Sequence, residues 1–114
     1  MERNQNAFEQ YQEIASTTAI YPNRGNNMVY PVLGLVGEAG EVAEKLKKII
    51  RDKDGKFSQE DKELFQKELG DVLWYISAIC GEMGLKLQDV AESNLRKLLD
   101  RQARNKLQGS GDVR

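Results

Sequence analysis

Residues 31–51 read PVLGLVGEAGEVAEKLKKIIR, and residues 58–83 read SQEDKELFQKELGDVLWYISAICGEM. At about 100° per residue, Leu35, Ala39, Val42, Leu46 and Ile49 fall on one side of the first segment. Phe65, Leu69, Val72, Ile76, Ile79 and Met83 fall on one side of the second. Both segments therefore predict amphipathic helices, one from Pro31 to about Arg51 and one from Ser58 to about Met83. Pro31 suits a first turn, where a missing N–H is harmless. Ser58 with Asp61 three residues on reads as a helix start, and Gly84 as a stop. Laid over each other with Glu38 on Glu68, the segments match at Leu35/Phe65, Gly40/Gly70, Val42/Val72, Leu46/Ile76 and Ile49/Ile79, with Glu41 on Asp71. Two helices that present the same face with the same decoration suit packing about a local pseudo-twofold axis.

Working outward, Phe8, Tyr11, Ile14 and Thr18 share one face of a helix expected from Asn6 to Ile20. The run Tyr21-Pro22-Asn23-Arg24-Gly25-Asn26-Asn27 is turn chemistry and ends it. Asp52-Lys53-Asp54-Gly55 is a second turn, which opens like a calcium loop but lacks the rest of that pattern. A fourth helix is expected from Gln88 to Asn105, and Gln108–Arg114 has no periodicity. No stretch alternates as a strand would. The expectation is an all-α four-helix bundle, a single domain over residues 1–107 with an irregular tail over 108–114.

Composition narrows the chemistry. The 114 residues suffice for one domain with a modest core. Seventeen basic and 18 acidic residues leave a net charge of -1, so no basic field exists to hold nucleic acid. No apolar run approaches a membrane span. The polar N-terminus lacks a signal-like core, and the single cysteine, Cys80, suits a reducing compartment; a cytoplasmic protein is expected. The chain has no histidine. That removes Ser-His and Cys-His catalysis, most zinc sites and the Glu-x-x-His di-iron pattern. Any metal must be held by oxygens, which favours magnesium, manganese or calcium.

Four carboxylates supply such oxygens. Glu38 borders the apolar stripe of its helix and Glu41 lies one step further round. Glu68 falls between Ile79 and Tyr75 on the inward side of the next helix, with Asp71 at its edge. An ionised carboxylate facing a core is unfavourable by several kcal/mol unless it is paired or coordinated. Packed together, these helices would gather the acids and raise their pKa values unless a cation neutralised them. The alternative is a solvated acidic face, with Lys45 in reach of Glu38 and, at i+4, of Glu41. Gly34, Gly37 and Gly40 line one side of the same helix, as close helix packing or close approach of a ligand would require.

On the fourth helix Asn94, Lys97 and Arg101 share a face beside Leu87, Ala91, Leu95 and Leu98. Two cations one turn apart make a phosphate clamp, or a solvated face. Phe8, Tyr11 and Tyr75 read mainly as core. Trp74 points away from the main stripe and reads as packing on another helix or on another subunit.

Taken together, Gly-Leu-Val-Gly-Glu38-Ala-Gly-Glu41-Val-Ala-Glu-Lys and Glu68-Leu-Gly-Asp71-Val-Leu-Trp-Tyr resemble the MazG-type nucleotide pyrophosphohydrolases of the all-α NTP pyrophosphatase superfamily. Their signature is Glu-x-x-Glu on one helix and Glu-x-x-Asp on the next. The resemblance continues into Asn94-Leu-Arg-Lys97-Leu-Leu-Asp-Arg101 and extends to the Gly109-Ser110-Gly111-Asp112 tail. It implies a bundle completed by assembly into a homodimer or homotetramer. It also implies Mg2+ (or Mn2+) on Glu38, Glu41, Glu68 and Asp71, and phosphate contacts from Lys97 and Arg101 with Asn94 helping. The implied reaction is water attack on the α-phosphorus of a nucleoside triphosphate, giving monophosphate and pyrophosphate, with Glu38 or Glu41 orienting the water. A dUTP-, dCTP- or phosphoribosyl-ATP-restricted enzyme is the near alternative, and a non-catalytic helical interaction module the distant one. The residues that would bind a base are not legible.

Overall fold

The computed structural model describes residues 5–114. The first four residues of the expected domain, with the start of the polar N-terminus, lie outside that range. Four helices follow in order: α1 (Ala7–Ser16), α2 (Val29–Lys53), α3 (Gln59–Met83) and α4 (Leu87–Ala103). No strand occurs among the described residues, so the fold is all-α, as expected.

Local chemistry sets the helix ends. α1 is capped by Asn6, whose side chain accepts from the Glu9 N–H at 2.9 Å. It stops short of the expected Ile20 because Thr17 and Thr18 turn their hydroxyls back onto the Ile14 and Ala15 carbonyls, a local bond that competes with the helix. α2 begins two residues before Pro31, with the Asn27 side chain accepting from the Tyr30 N–H at 3.0 Å. Its far end reverses through Asp54 and Gly55, both at positive φ. α3 opens on the expected capping box: Ser58 accepts from the Asp61 N–H, and Asp61 accepts from the Ser58 N–H. Lys53 also donates to both Asp61 oxygens at 2.8 Å, and these bonds hold the Asp61 carboxyl down at about 2. Gly84 at φ 68° ends α3, and the Leu85 N–H returns to the Cys80 carbonyl at 2.8 Å, the reversal a left-handed glycine permits.

α2 and α3 form an antiparallel hairpin, joined at one end by the Lys53–Asp61 pair and reaching the Gly34–Tyr75 contact at the other. At Gly34 an α3 side chain lies directly against the α2 backbone. The Tyr75 ring occupies the space that any Cβ at position 34 would need. Gly34→Ala is therefore expected to destabilise by roughly 1–3 kcal/mol through overpacking, more than the ~1 kcal/mol that alanine adds as a helix former. Denaturant unfolding measures this, and an unchanged midpoint would mean that Tyr75 has another place to go.

α1 lies against α3 and α4, and Gln12 clasps the turn between those helices. Its amide donates to the Leu85 carbonyl and accepts from the Leu87 N–H, each at 2.9 Å. The segment from Thr17 to Met28 is tied to α3 by Trp74, which donates to Thr18, and by the Glu82 carboxylate. Glu82 accepts from the Tyr21 hydroxyl (2.7 Å), the Gly25 N–H (2.7 Å) and the Asn27 N–H (2.6 Å). These three donors lower the Glu82 pKa, while burial first and then the Glu82 contact lift the Tyr21 hydroxyl to about 12.

α2 and α4 do not pack on each other. The Cα radius of gyration is 17.3 Å, against about 13 Å for a compact domain of this length. The bundle is thus open on one side, and its core is small: among the described residues, Ala19, Tyr21, Pro31, Ile49, Cys80 and Leu87 are the buried apolar members. α2 carries a second apolar stripe, Val29, Val32, Leu33, Val36 and Ile50, which is exposed. On the helical wheel this stripe is centred about 120° round from Leu35, Val42 and Ile49, the apolar α2 residues that are half-buried or buried. No helix is long and apolar enough to cross a membrane among the described residues.

Candidate metal and phosphate site

Midway along the α2–α3 hairpin, Glu38, Glu68 and Asp71 each offer one carboxylate oxygen within 4.8 Å of the others. Glu38 projects from α2; Glu68 and Asp71, one turn apart, project from α3. Glu38 and Glu68 are half-buried and Asp71 is exposed. Burial, then a hydrogen bond to Glu68, then the negative charges of Asp71, Glu68 and Glu41 raise the Glu38 pKa above the usual glutamate value. Three of the four expected acids are therefore brought together. Glu41 stands beside them: its i+3 position turns it about 60° around α2 from Glu38, leaving it exposed yet close enough to act on Glu38.

Lys45 goes to a different partner from those offered along its own helix. Its ammonium lies 3.5 Å from a Glu68 oxygen across the hairpin, because packing brings α3 nearer than the next turn of α2. The cluster thus has three acids and one partial counter-ion, an all-oxygen donor set with excess negative charge. That is the environment a small hard divalent cation accepts, so the residues present fit a metal ion.

The Glu38 shift has a measurable consequence in metal-free protein. A carboxyl whose folded pKa is raised binds its proton more tightly folded than unfolded. Its contribution to stability is therefore full below the usual glutamate value of 4.5 and is lost as pH rises through the raised value. Glu38→Gln is expected to raise the metal-free Tm near pH 7 and to change it little near pH 4. Thermal melts in chelator at both pH values test this; a lower Tm for the variant at pH 7 would contradict the repulsion.

Aromatic rings border the cluster. Tyr75 is raised by burial first and feels Tyr30, Glu38 and Asp71; Tyr11 is raised by burial and by Asp71. Tyr21 stacks on Tyr30 at 4.7 Å between centroids, and Trp74 meets Tyr75 edge-on at 5.1 Å. Trp74 also donates to the Thr18 hydroxyl at 2.8 Å, so its partner lies within its own chain and its position no longer speaks for a subunit contact. A cleft of about 490 Å³, with Trp74 in its wall, opens between α1, α3 and the Tyr21–Gly25 loop, and none of the clustered carboxylates lines it. Of the three glycines on α2, Gly34 serves close helix packing, while Gly37 and Gly40 face open space.

The α4 residues form a second centre. Asn94 is exposed, Lys97 is partly exposed and Arg101 is only 5% exposed. Both cations meet Asp112 of the tail: Lys97 donates to its Oδ1 at 2.9 Å, and Arg101 to the same oxygen at 3.3 Å. The tail thus brings Lys97 and Arg101 together through Asp112, on a helix that makes no contact with α2, which carries Glu38 and Glu41.

A family model described as the MazG nucleotide pyrophosphohydrolase domain matches residues 31–104. That span holds all seven expected site residues and stops before Asp112. Among curated proteins, the gene 37 protein of Mycobacterium phage L5 is 49% identical over 109 residues, covering 91% of this chain and 96% of the relative. No solved structure gives a significant match.

Proposed function

The chain belongs to the MazG nucleotide pyrophosphohydrolase family, and from that premise we propose that it hydrolyses nucleoside triphosphates to monophosphate and pyrophosphate, with water attacking the α-phosphorus. The observation that carries this reading is the gathering of Glu38, Glu68 and Asp71 within 4.8 Å on two facing helices of the matched region. These three acids would hold magnesium, or manganese in its place. Such an ion supplies charge neutralisation along the phosphate chain and a more acidic water. Glu41, exposed beside the group, is free to accept a hydrogen bond from the attacking water, with Glu38 the other residue that would orient it. Lys97 faces the substrate phosphates, with Asn94 beside it and the Arg101 charge behind it. A cytoplasmic location fits the free, buried Cys80.

Self-association belongs to the same reading. The exposed α2 stripe gives a helix with two apolar faces, and only one is covered in the single chain. A second copy would cover the other. Val36 is 65% exposed at the middle of that stripe. Val36→Lys is expected to shift the protein from dimer or tetramer to monomer at micromolar concentration, as read by light scattering. Wild-type protein that is already monomeric would contradict this part of the reading.

The experiment is a panel of ribo- and deoxyribonucleotides in magnesium with product identification. Monophosphate and pyrophosphate from at least one nucleotide, abolished by excess chelator, is the expected result. No turnover on any nucleotide by metal-loaded protein would favour a non-catalytic helical module. A response confined to dUTP, dCTP or phosphoribosyl-ATP would assign a base-restricted member.

A further inference from the structure

We propose that Asp112 is a positioning residue for phosphate binding: its carboxylate, carried on a C-terminal loop pinned to Arg101, fixes the ammonium of Lys97. The inference rests on the reading above that Lys97 faces substrate phosphates. It goes beyond that reading by assigning a function to the tail, which lies outside the matched family region.

The loop is built to hold one place. Arg101 is buried, and its guanidinium donates to the Asp112 backbone carbonyl at 2.5 Å as well as to the carboxylate. Arg114 folds back and donates to the Gly111 carbonyl at 2.6 Å and the Leu107 carbonyl at 3.0 Å. Its own carbonyl accepts from Arg104 at 2.9 Å. Gly109 and Gly111, at φ 112° and 87°, make reversals that a side chain would strain. The Asp112 backbone is thus fixed from within the protein, while its side chain is 80% exposed and turned to Lys97.

That arrangement says what the pair does. An ion pair this exposed adds little to fold stability. Its effect falls on Lys97, whose long stem otherwise samples many rotamers. One ammonium hydrogen is engaged by Asp112, and the other two remain for phosphate oxygens. Arg101, with its guanidinium committed to the tail, acts through Asp112.

The test is a double-mutant cycle read by calorimetric titration with magnesium pyrophosphate, which needs no turnover. Lys97→Ala should weaken binding, and Asp112→Asn should weaken it by roughly tenfold with Tm little changed. The double variant should be no weaker than Lys97→Ala alone, and Asp112→Glu should recover part of the loss. Unchanged affinity in Asp112→Asn, or losses that add with those of Lys97→Ala, would overturn the positioning role. Tighter binding in Asp112→Asn would also overturn it, by making Asp112 an occupant that phosphate must displace. If Lys97→Ala itself binds pyrophosphate normally, the assignment of Lys97 to the phosphates fails first, and the role of Asp112 with it.

Discussion

Replacing Glu68 by glutamine is expected to reduce turnover by roughly a thousandfold while the protein stays folded. Glu68 is the hinge of the acidic group. Its carboxylate has an oxygen within 4.8 Å of those of Glu38 and Asp71, and the Lys45 ammonium lies 3.5 Å from it. An amide keeps the shape but removes the charge on which cation binding depends. A metal's contribution to phosphoryl transfer is several kcal/mol, hence the magnitude. Stability should move little, because two effects oppose each other: the Lys45 contact weakens, and Glu38 loses a negative neighbour. Kinetics with circular dichroism on one preparation measure both. A folded Glu68→Gln protein with wild-type activity would remove Glu68 from the site.

Lys97→Ala is expected to lower kcat/KM by roughly a hundredfold, the scale set by loss of one well-placed charged donor to a transferring phosphoryl group. Metal affinity should be unchanged, since Lys97 sits on α4 and pairs with Asp112 of the tail, which is not one of the clustered acids. Steady-state kinetics across a magnesium titration separate the two. An activity deficit rescued by excess magnesium would place Lys97 on the metal side instead.

Most of the fold was legible because it rests on period and punctuation. The 3.6-residue pattern located all four helices, and Ser58-x-x-Asp61 and Gly84 marked ends that the structure uses. Where the boundaries moved, side chains decided: the hydroxyls of Thr17 and Thr18 end α1 early, and Asn27 starts α2 two residues before Pro31. The second stripe of α2 was present in the letters as Val32, Leu33 and Val36, but a wheel read for one apolar face passes over a helix that has two. The open side of the bundle follows from that stripe. The long-range ties were not legible. Nothing local in Glu82 says that it will receive Tyr21, Gly25 and Asn27 from 55 or more residues away.

The site was legible in its members and less so in its wiring. Spacing put Glu38, Glu68 and Asp71 on facing sides, and the structure gathers them. It could not rank Glu41, because the same three-residue offset separates Glu68 from Asp71, which does join the group. Nor could it choose a partner for Lys45, because a helical wheel offers only neighbours on the same helix. Asp112 illustrates the same limit: an acid in an aperiodic tail becomes informative only once the tail is seen to return to Lys97 and Arg101.

In the proposed reaction water attacks the α-phosphorus and pyrophosphate departs. Hydrolysis in water enriched in oxygen-18, with both products analysed by mass spectrometry, tests it most directly. The expected result is one labelled oxygen in the nucleoside monophosphate and none in the pyrophosphate. Label in the pyrophosphate, or release of orthophosphate with a nucleoside diphosphate, would mean attack at another phosphorus and would contradict the reaction assigned to these carboxylates.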